Sequence, residues 1–397
     1  MLYTMKRIPL FTTMVVIVVF FGSCKKSSPN NTTAATSTTN TGVTVIPQPL
    51  PNTVDKTDTI KVMAYNVLGY GNGCQGANAT LDGYLKTIIQ YTQPDLLSCE
   101  KMGAFLPASA LPANFAIDIT TNALNAAFPG EYAYATPTNL TGADNMSVLF
   151  YNVKKLTYVK TETIEAYITD FNLYKLYYND PNLAITHDTT FIYVLVNHTQ
   201  SGSPSTTRDL QVSTYMQTLR AKFAYLPNLI NMGDFNTSNS YEPGYQSIIT
   251  STDTATVMND PPFYPDKSIT YPAEWETAAA SYASYLTTTT RSLATVPNTC
   301  GTGGGAKSWY DHIFISPWLV NGTNYMKYIA NSYQTIGNDG NRIGVDINSA
   351  TPVINSSAPA AVINALYQFS DKYPVTIKLL VKANRNAYSI ADPAERN

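Results

Sequence analysis

Residues 229–236 read Leu-Ile-Asn-Met-Gly-Asp-Phe-Asn: apolar side chains run up to a glycine, and two polar residues follow with one between them. Positions i and i+2 of a strand face the same way. The spacing therefore predicts that Asp234 and Asn236 project together from a strand end. Asp234 brings an anionic oxygen, and Asn236 brings both a donor and an acceptor. Gly233 allows the backbone to turn or a ligand to come close. Such a place can hold a phosphate, a water or a hard cation. A strand running into an Asx-type turn fits the same residues, so the rest of the chain has to decide.

The chain has 397 residues, enough for one large domain or two small ones. Charged residues make up only 13% and the net charge is −2. That excludes the broad basic surface that grips duplex DNA regardless of sequence. At the N-terminus, Lys6 and Arg7 precede an apolar run from Ile8 to Phe21, which ends Phe21-Gly22-Ser23-Cys24. The run is short of the ~20 residues of a membrane span. It is similar to a bacterial lipoprotein signal, with Cys24 as the lipidated first residue of the mature chain. An ordinary signal peptide or a short anchor are the alternatives. The expected location is the cell envelope, lipid-anchored in the outer membrane. Residues 25–57, rich in Ser, Thr, Asn and Pro, read as a flexible tether. The folded domain is expected over 58–385, with a tail at 386–397. Cys99 lies in an apolar run and is expected buried and free. Cys74 and Cys300 lie in Gly-containing loops, where they form either a bridge or two unpaired thiols.

Along the chain, strands are expected at 60–67, 95–100, 146–151, 157–167, 191–198, 309–316, 326–336 and 375–381. Helices are expected from a cap at Thr80 to Pro94, and over 118–128, 206–223 and 242–249. The stretch 240–307 otherwise reads as a long loop, of the kind that forms lids and rims. These elements imply an α+β domain, with two mixed, mainly antiparallel sheets face to face and helices outside: a four-layered α/β/β/α sandwich.

Seven polar residues end or interrupt the apolar runs: Asn66, Glu100, His198, Asp234, Asn236, Asp311 and Asp371. Each alone has a plain structural explanation; Glu100, for example, could pair with Lys101. Together, Glu100, Asp371 and Asn66 would make an oxygen-rich site suited to Mg²⁺ (or Mn²⁺). Asp234 and Asn236 could hold a water and a phosphoryl oxygen. His198 could donate to a phosphate oxygen.

In this order the motifs Met-Ala-Tyr-Asn66, Asp-Leu-Leu-Ser-Cys-Glu100, Ser147-Val-Leu-Phe-Tyr151, Val-Asn-His198, Gly-Asp234-Phe-Asn236, Tyr-Asp311-His-Ile and Ser370-Asp371-Lys372-Tyr-Pro-Val appear. The chain resembles the endonuclease/exonuclease/phosphatase (deoxyribonuclease I-like) superfamily. The resemblance implies metal-assisted phosphoester hydrolysis by an in-line water. It implies Glu100 as principal metal ligand, helped by Asn66 and Asp371. It implies Asp234 and Asn236 as the pair positioning water and phosphate, and His198 as a phosphate contact. Asp311 would orient a second catalytic His, but position 372 is Lys. A lysine titrates near 10.4 in water and is a poor base at neutral pH. Lys372 is therefore expected to pair with Asp311 and keep its charge against the phosphate. His312, next to Asp311, would face away, and His187 has no assigned role.

Three functions fit: a metal-dependent phosphoester hydrolase, acting on a nucleic acid, lipid headgroup or sugar phosphate; an inactive relative that binds phosphate or polyanions; or a surface lipoprotein whose sandwich is only a scaffold. A monomer is expected.

Overall fold

The computed structural model describes residues 48–386 except 268, 271 and 272. The signal at 1–24, most of the tether and residues 387–397 of the tail lie outside the described residues. Twelve strands are named in chain order: β1 (Thr57–Asn66), β2 (Leu96–Gly103), β3 (Tyr132–Tyr134), β4 (Asn145–Asn152), β5 (Leu156–Tyr167), β6 (Thr169–Tyr178), β7 (Phe191–His198), β8 (Leu229–Asp234), β9 (Asp311–Ile315), β10 (Met326–Tyr328), β11 (Gln334–Thr335) and β12 (Val375–Lys382). They form two open sheets. One runs β10-β12-β1-β2-β4-β3, with β11 also on β12; the other runs β5-β6-β7-β8-β9.

Each sheet contains one parallel pair, β1–β2 and β7–β8, among antiparallel neighbours. A parallel pair needs a crossover, and a helix supplies each one. Asn78–Thr92 joins β1 to β2, and Thr206–Lys222 joins β7 to β8. The first buries Leu81, Leu85, Ile88 and Ile89 and packs beside Ala360–Phe369. The second buries Val212, Tyr215, Met216 and Leu219 and packs beside Pro243–Ile249 and β5. The sheets meet through β1, β2, β4 and β12 on one side and β6 to β9 on the other. The four expected layers are present.

Several local expectations are corrected. Thr80 lies inside its helix, which starts at Asn78 and closes with Gln93 in the left-handed region, one residue before Pro94. The second helix begins earlier, at Phe115, because the Asn114 side chain accepts from the N–H groups of Ala116 and Ile117. It passes through a π-helical turn at Ile119–Leu124. The strand expected over 326–336 is two short ones, β10 and β11, broken near Asn331 with its φ of 57°. The end of the expected tether is docked rather than loose. Asn182 accepts from Val54 N–H and donates to its carbonyl, and β1 has begun by Thr57. Of the elements that were not foreseen, two are long. β6 follows β5 after one residue, Ile168, whose φ of 68° is unannounced by any Gly or Asn. The helix Ala360–Phe369 buries Val362, Ile363, Leu366 and Phe369.

Gly233 has a different reason from the expected one. Its φ is 140°, and a Cβ there would sit 1.9 Å from the carbonyl oxygen of Asn197 on β7. The glycine lets two parallel strands approach, not a ligand. Gly233→Ala must push β7 from β8 and is expected to lower unfolding free energy by about 3 kcal/mol or more. Urea denaturation checks this; a loss under about 1 kcal/mol would contradict the close-approach explanation.

Candidate active site

The two parallel pairs end at the same edge of the sandwich. In register, Asn66 at the end of β1 lies opposite Glu100 where the β1–β2 pairing stops, and His198 lies opposite Asp234 at the ends of β7 and β8. The antiparallel strand β9 starts there, with Asp311 opposite Asp234. Register partners on neighbouring strands share a face. Each sheet thus contributes its own row of polar side chains, and these meet. Asn66 Nδ2 donates to Asp234 Oδ2 at 2.8 Å, from one sheet to the other. The Ser370 hydroxyl donates to the Asn66 carbonyl at 2.7 Å, bringing Asp371 and Lys372 to the same edge. All of the expected residues therefore share this end of the fold.

Asp234 and Asn236 meet by a route other than strand alternation. β8 stops at Asp234, and Asn236 has a φ of 49°. The Asn236 N–H donates to Asp234 Oδ1 at 3.0 Å, and its Nδ2 donates to the Thr199 carbonyl at 2.9 Å. This is an Asx-type turn, and the turn itself presents both side chains.

Burial would raise the pKa of Asp234, but Lys372, His198 and the hydrogen bonds from Asn66 and Asn236 outweigh it and hold the carboxylate ionised, below its usual range. Glu100 and Asp311 are the opposite case. Both are fully buried, and none of their four carboxylate oxygens has a hydrogen-bond partner of good geometry among the described residues, although the Ser98 and Thr287 hydroxyls lie near enough to favour the charged forms weakly. Burial, then repulsion from Asp311 and Asp234, raises Glu100 well above the usual range. Burial and Asp234 do the same to Asp311. Lys101 does not pair with Glu100. Burial lowers the half-buried His198 to about 4, so its ring is neutral at pH 7.

Lys372 is placed differently from expectation. Its Nζ lies 3.6 Å from Asp234 Oδ2, not paired with Asp311, and donates to Thr288 Oγ1 at 2.8 Å. It also stands over the Tyr310 ring at 4.8 Å. Burial disfavours its charge, but Asp234, Asp371 and Asp311 together raise its pKa above the ordinary lysine value. His312 is a satisfied core histidine between Asp260 Oδ2 and the Trp309 carbonyl, both at 3.0 Å.

The 240–307 stretch forms part of this edge. Thr302 donates to Asp371 Oδ2 from its N–H at 2.8 Å and its hydroxyl at 2.9 Å. Glu276 accepts from Tyr310 at 2.7 Å. Cys300 is bridged to Cys74 of the β1-to-helix loop, while Cys99 is buried and free. Thr288 and Thr302 escaped the sequence reading, because a threonine in a Thr-rich loop carries no distinguishing pattern.

Among the described residues no three His, Cys, Asp or Glu side chains are grouped to hold a metal by themselves. The donor set nevertheless fits a hard cation that keeps much of its water. Glu100 offers two unpartnered oxygens, and Asp371 offers Oδ1, its Oδ2 being committed to Thr302. Asn66 offers its amide oxygen, which accepts once, from Leu68 N–H. A buried carboxylate without a partner costs on the order of 1–3 kcal/mol or more.

That cost has a sign. The folded pKa of Glu100 lies above its unfolded value, so its stability contribution is present below the unfolded value and lost as pH rises through the folded one. In chelator, melting temperature is expected to fall as pH rises from about 4.5 to 8. Glu100→Gln should reduce that fall and melt higher than wild type in chelator at pH 7. Mg²⁺ or Mn²⁺ should raise the wild-type melt and leave the variant's unchanged. Equal metal shifts in both, read by calorimetry, would remove Glu100 from the metal site.

No protein-family model matches the chain, and no curated protein does. Solved structures align with it at low identity. TDP2 of D. rerio, complexed with a single-strand DNA product, is 13% identical, covering 81% of this chain and 98% of that one, with a TM-score of 0.47. A mannosyl-6-phosphatase of Bacteroides thetaiotaomicron is 14% identical, covering 81% and 99%, with a TM-score of 0.43. An endonuclease/exonuclease/phosphatase family protein of the same organism is 14% identical, covering 82% and 99%, with a TM-score of 0.45. The chain's structural neighbours thus include endonuclease/exonuclease/phosphatase family proteins.

Proposed function

We propose that this protein is a divalent-metal-dependent phosphoester hydrolase, of phosphodiesterase or phosphatase type, working by an in-line water. The observation that carries the reading is the meeting of two half-sites: the unpartnered Glu100 carboxylate beside Asn66 on one sheet, and His198, Asp234 and Asp311 on the other. Glu100, Asn66 and Asp371 would hold Mg²⁺ or Mn²⁺. The chemistry the ion supplies when bound is neutralisation of charge on a phosphoryl oxygen.

The chain's own residues do the rest. Neutral His198 has no hydrogen-bond partner on its ring among the described residues, and one ring N–H is free to donate to a phosphoryl oxygen. Lys372 holds a fixed positive charge where negative charge develops. Asp234 stays ionised and, with Asn236, orients the attacking water. Lys372 keeps its proton, so the water's proton needs another acceptor. Asp311, whose oxygens have no hydrogen-bond partner of good geometry among the described residues, is a nearby carboxylate of raised proton affinity that the proposed ion would not use. Turnover slower than in an enzyme with a histidine at 372 follows.

The same Lys372 favours a second reading, a catalytically inactive surface lipoprotein that binds phosphate or polyanions. Its short distance to Asp234 occupies the carboxylate that must handle water. Export with a lipid anchor at Cys24 is part of both readings. The Cys74–Cys300 bridge supports the export alone, since disulfides persist in oxidising compartments.

Assay of the full chain on bis(p-nitrophenyl) phosphate with Mg²⁺ or Mn²⁺ separates the two. The expected result is slow turnover, lost about a hundredfold or more in Glu100→Ala and raised in Lys372→His. Activity confined to Lys372→His would establish the binding protein instead.

A further inference from the structure

A cavity of about 270 Å³ opens directly beside His198, between the start of β4, the β5–β6 turn and the loop after β7. It adjoins the atoms that the proposed reaction assigns to phosphate, so whatever group is esterified to that phosphate has this space to enter. Apart from Asp144, its lining side chains are uncharged, and most carry a polar group. Asn145, Thr169, Gln200 and Ser201 face it, and Gln211 forms a closed wall by accepting from Gln200 N–H at 2.8 Å and donating to the Tyr167 carbonyl at 2.9 Å. Among the described residues, the Asn145 amide and the Ser201 hydroxyl have no hydrogen-bond partner. They remain able to bond a ligand's hydroxyls in either sense.

What the lining lacks is equally specific. No Phe, Tyr or Trp lines the cavity, so there is no platform for a stacked base. No Lys or Arg lines it either. Lys101 and Lys372 act on His198 electrostatically but stand outside the cavity, and Asp144 adds a negative charge to its rim. A second phosphate, or a nucleic-acid backbone, would meet repulsion there. Among the described residues lining it, Ala143 and Ile168 are the wholly apolar side chains, too few to hold an acyl chain.

We infer that this cavity is a polyol subsite, and that the substrate is a monophosphate ester of a sugar or cyclitol whose hydroxyls bond Asn145, Ser201 and Gln200. The inference rests on the hydrolase reading for its phosphate end, and one experiment separates their failures. Calorimetry on the full chain with Mg²⁺ compares glucose 6-phosphate and myo-inositol 1-phosphate with inorganic phosphate, thymidine 5′-monophosphate and phosphocholine. At least one polyol ester should bind about tenfold tighter than inorganic phosphate, the effect of one or two added neutral hydrogen bonds. Asn145→Leu should narrow that gap about threefold or more; Ser201→Ala, on an exposed loop, repeats the test should the first variant fold poorly. Equal affinity for polyol esters and inorganic phosphate, tighter binding of the nucleotide or phosphocholine, or a gap untouched by both variants overturns the subsite. Hydrolysis of p-nitrophenyl phosphate and of its bis-ester is read in parallel. Turnover of either ester without polyol preference removes the subsite alone. Polyol-selective binding without turnover of either supports the subsite and removes the hydrolase reading alone.

Discussion

One hydrogen bond joins the halves of this molecule where it matters, from the Asn66 amide on one sheet to the Asp234 carboxylate on the other. Everything at the candidate site depends on that junction. Each sheet by itself presents a pair of polar side chains where two parallel strands stop pairing, which is an ordinary arrangement. Packed face to face, the sheets turn two such pairs into one carboxylate-rich cluster. Buried polar groups are normally satisfied. At this edge, Glu100 and Asp311 are not, while Asp234, between them and Lys372, is fully engaged. A contrast of that kind within one cluster is what a ligand-binding site looks like before its ligand is considered.

Lys372 changes the balance of the pocket. A histidine there could exchange a proton near neutrality. This lysine is held charged by three carboxylates and anchored by Thr288. Under the proposed hydrolase reading the site would keep electrostatic stabilisation and lose a relay, and Asp311 would take up the proton transfer. The 240–307 stretch takes part through Thr288, Thr302 and Glu276, each reaching a different residue of the edge. Its fully buried Arg291 donates to the carbonyls of Tyr367, Cys300 and Gln368, which fixes a segment with little regular structure beside the site.

Much of this was legible in the chain because the site residues terminate apolar runs, and such runs announce strands. That Asn66, Glu100, His198, Asp234 and Asp311 lie in or at the ends of strands followed from that pattern, while their grouping rested on the family resemblance as well. Their partners did not follow. Gly233 reads as a turn or ligand glycine, yet its backbone is shaped by a neighbouring strand that sequence cannot place. Asn236 reads as a strand residue, yet it lies beyond the strand in a left-handed conformation. Lys372 faces several carboxylates, and choosing Asp234 over Asp311 needs the distance. β6 was hidden because Ile168 turns the chain without a turn residue, and that same turn forms a wall of the cavity beside His198.

The proposed cation site, at the edge where the two sheets meet, is tested most directly by anomalous diffraction from crystals of the protein soaked in Mn²⁺. The expected result is a peak against the Glu100 carboxylate, within reach of the Asn66 amide oxygen and on the side that faces Asp234. A saturated soak with no peak at Glu100, or one whose strongest peak lies elsewhere on the molecule, would contradict it.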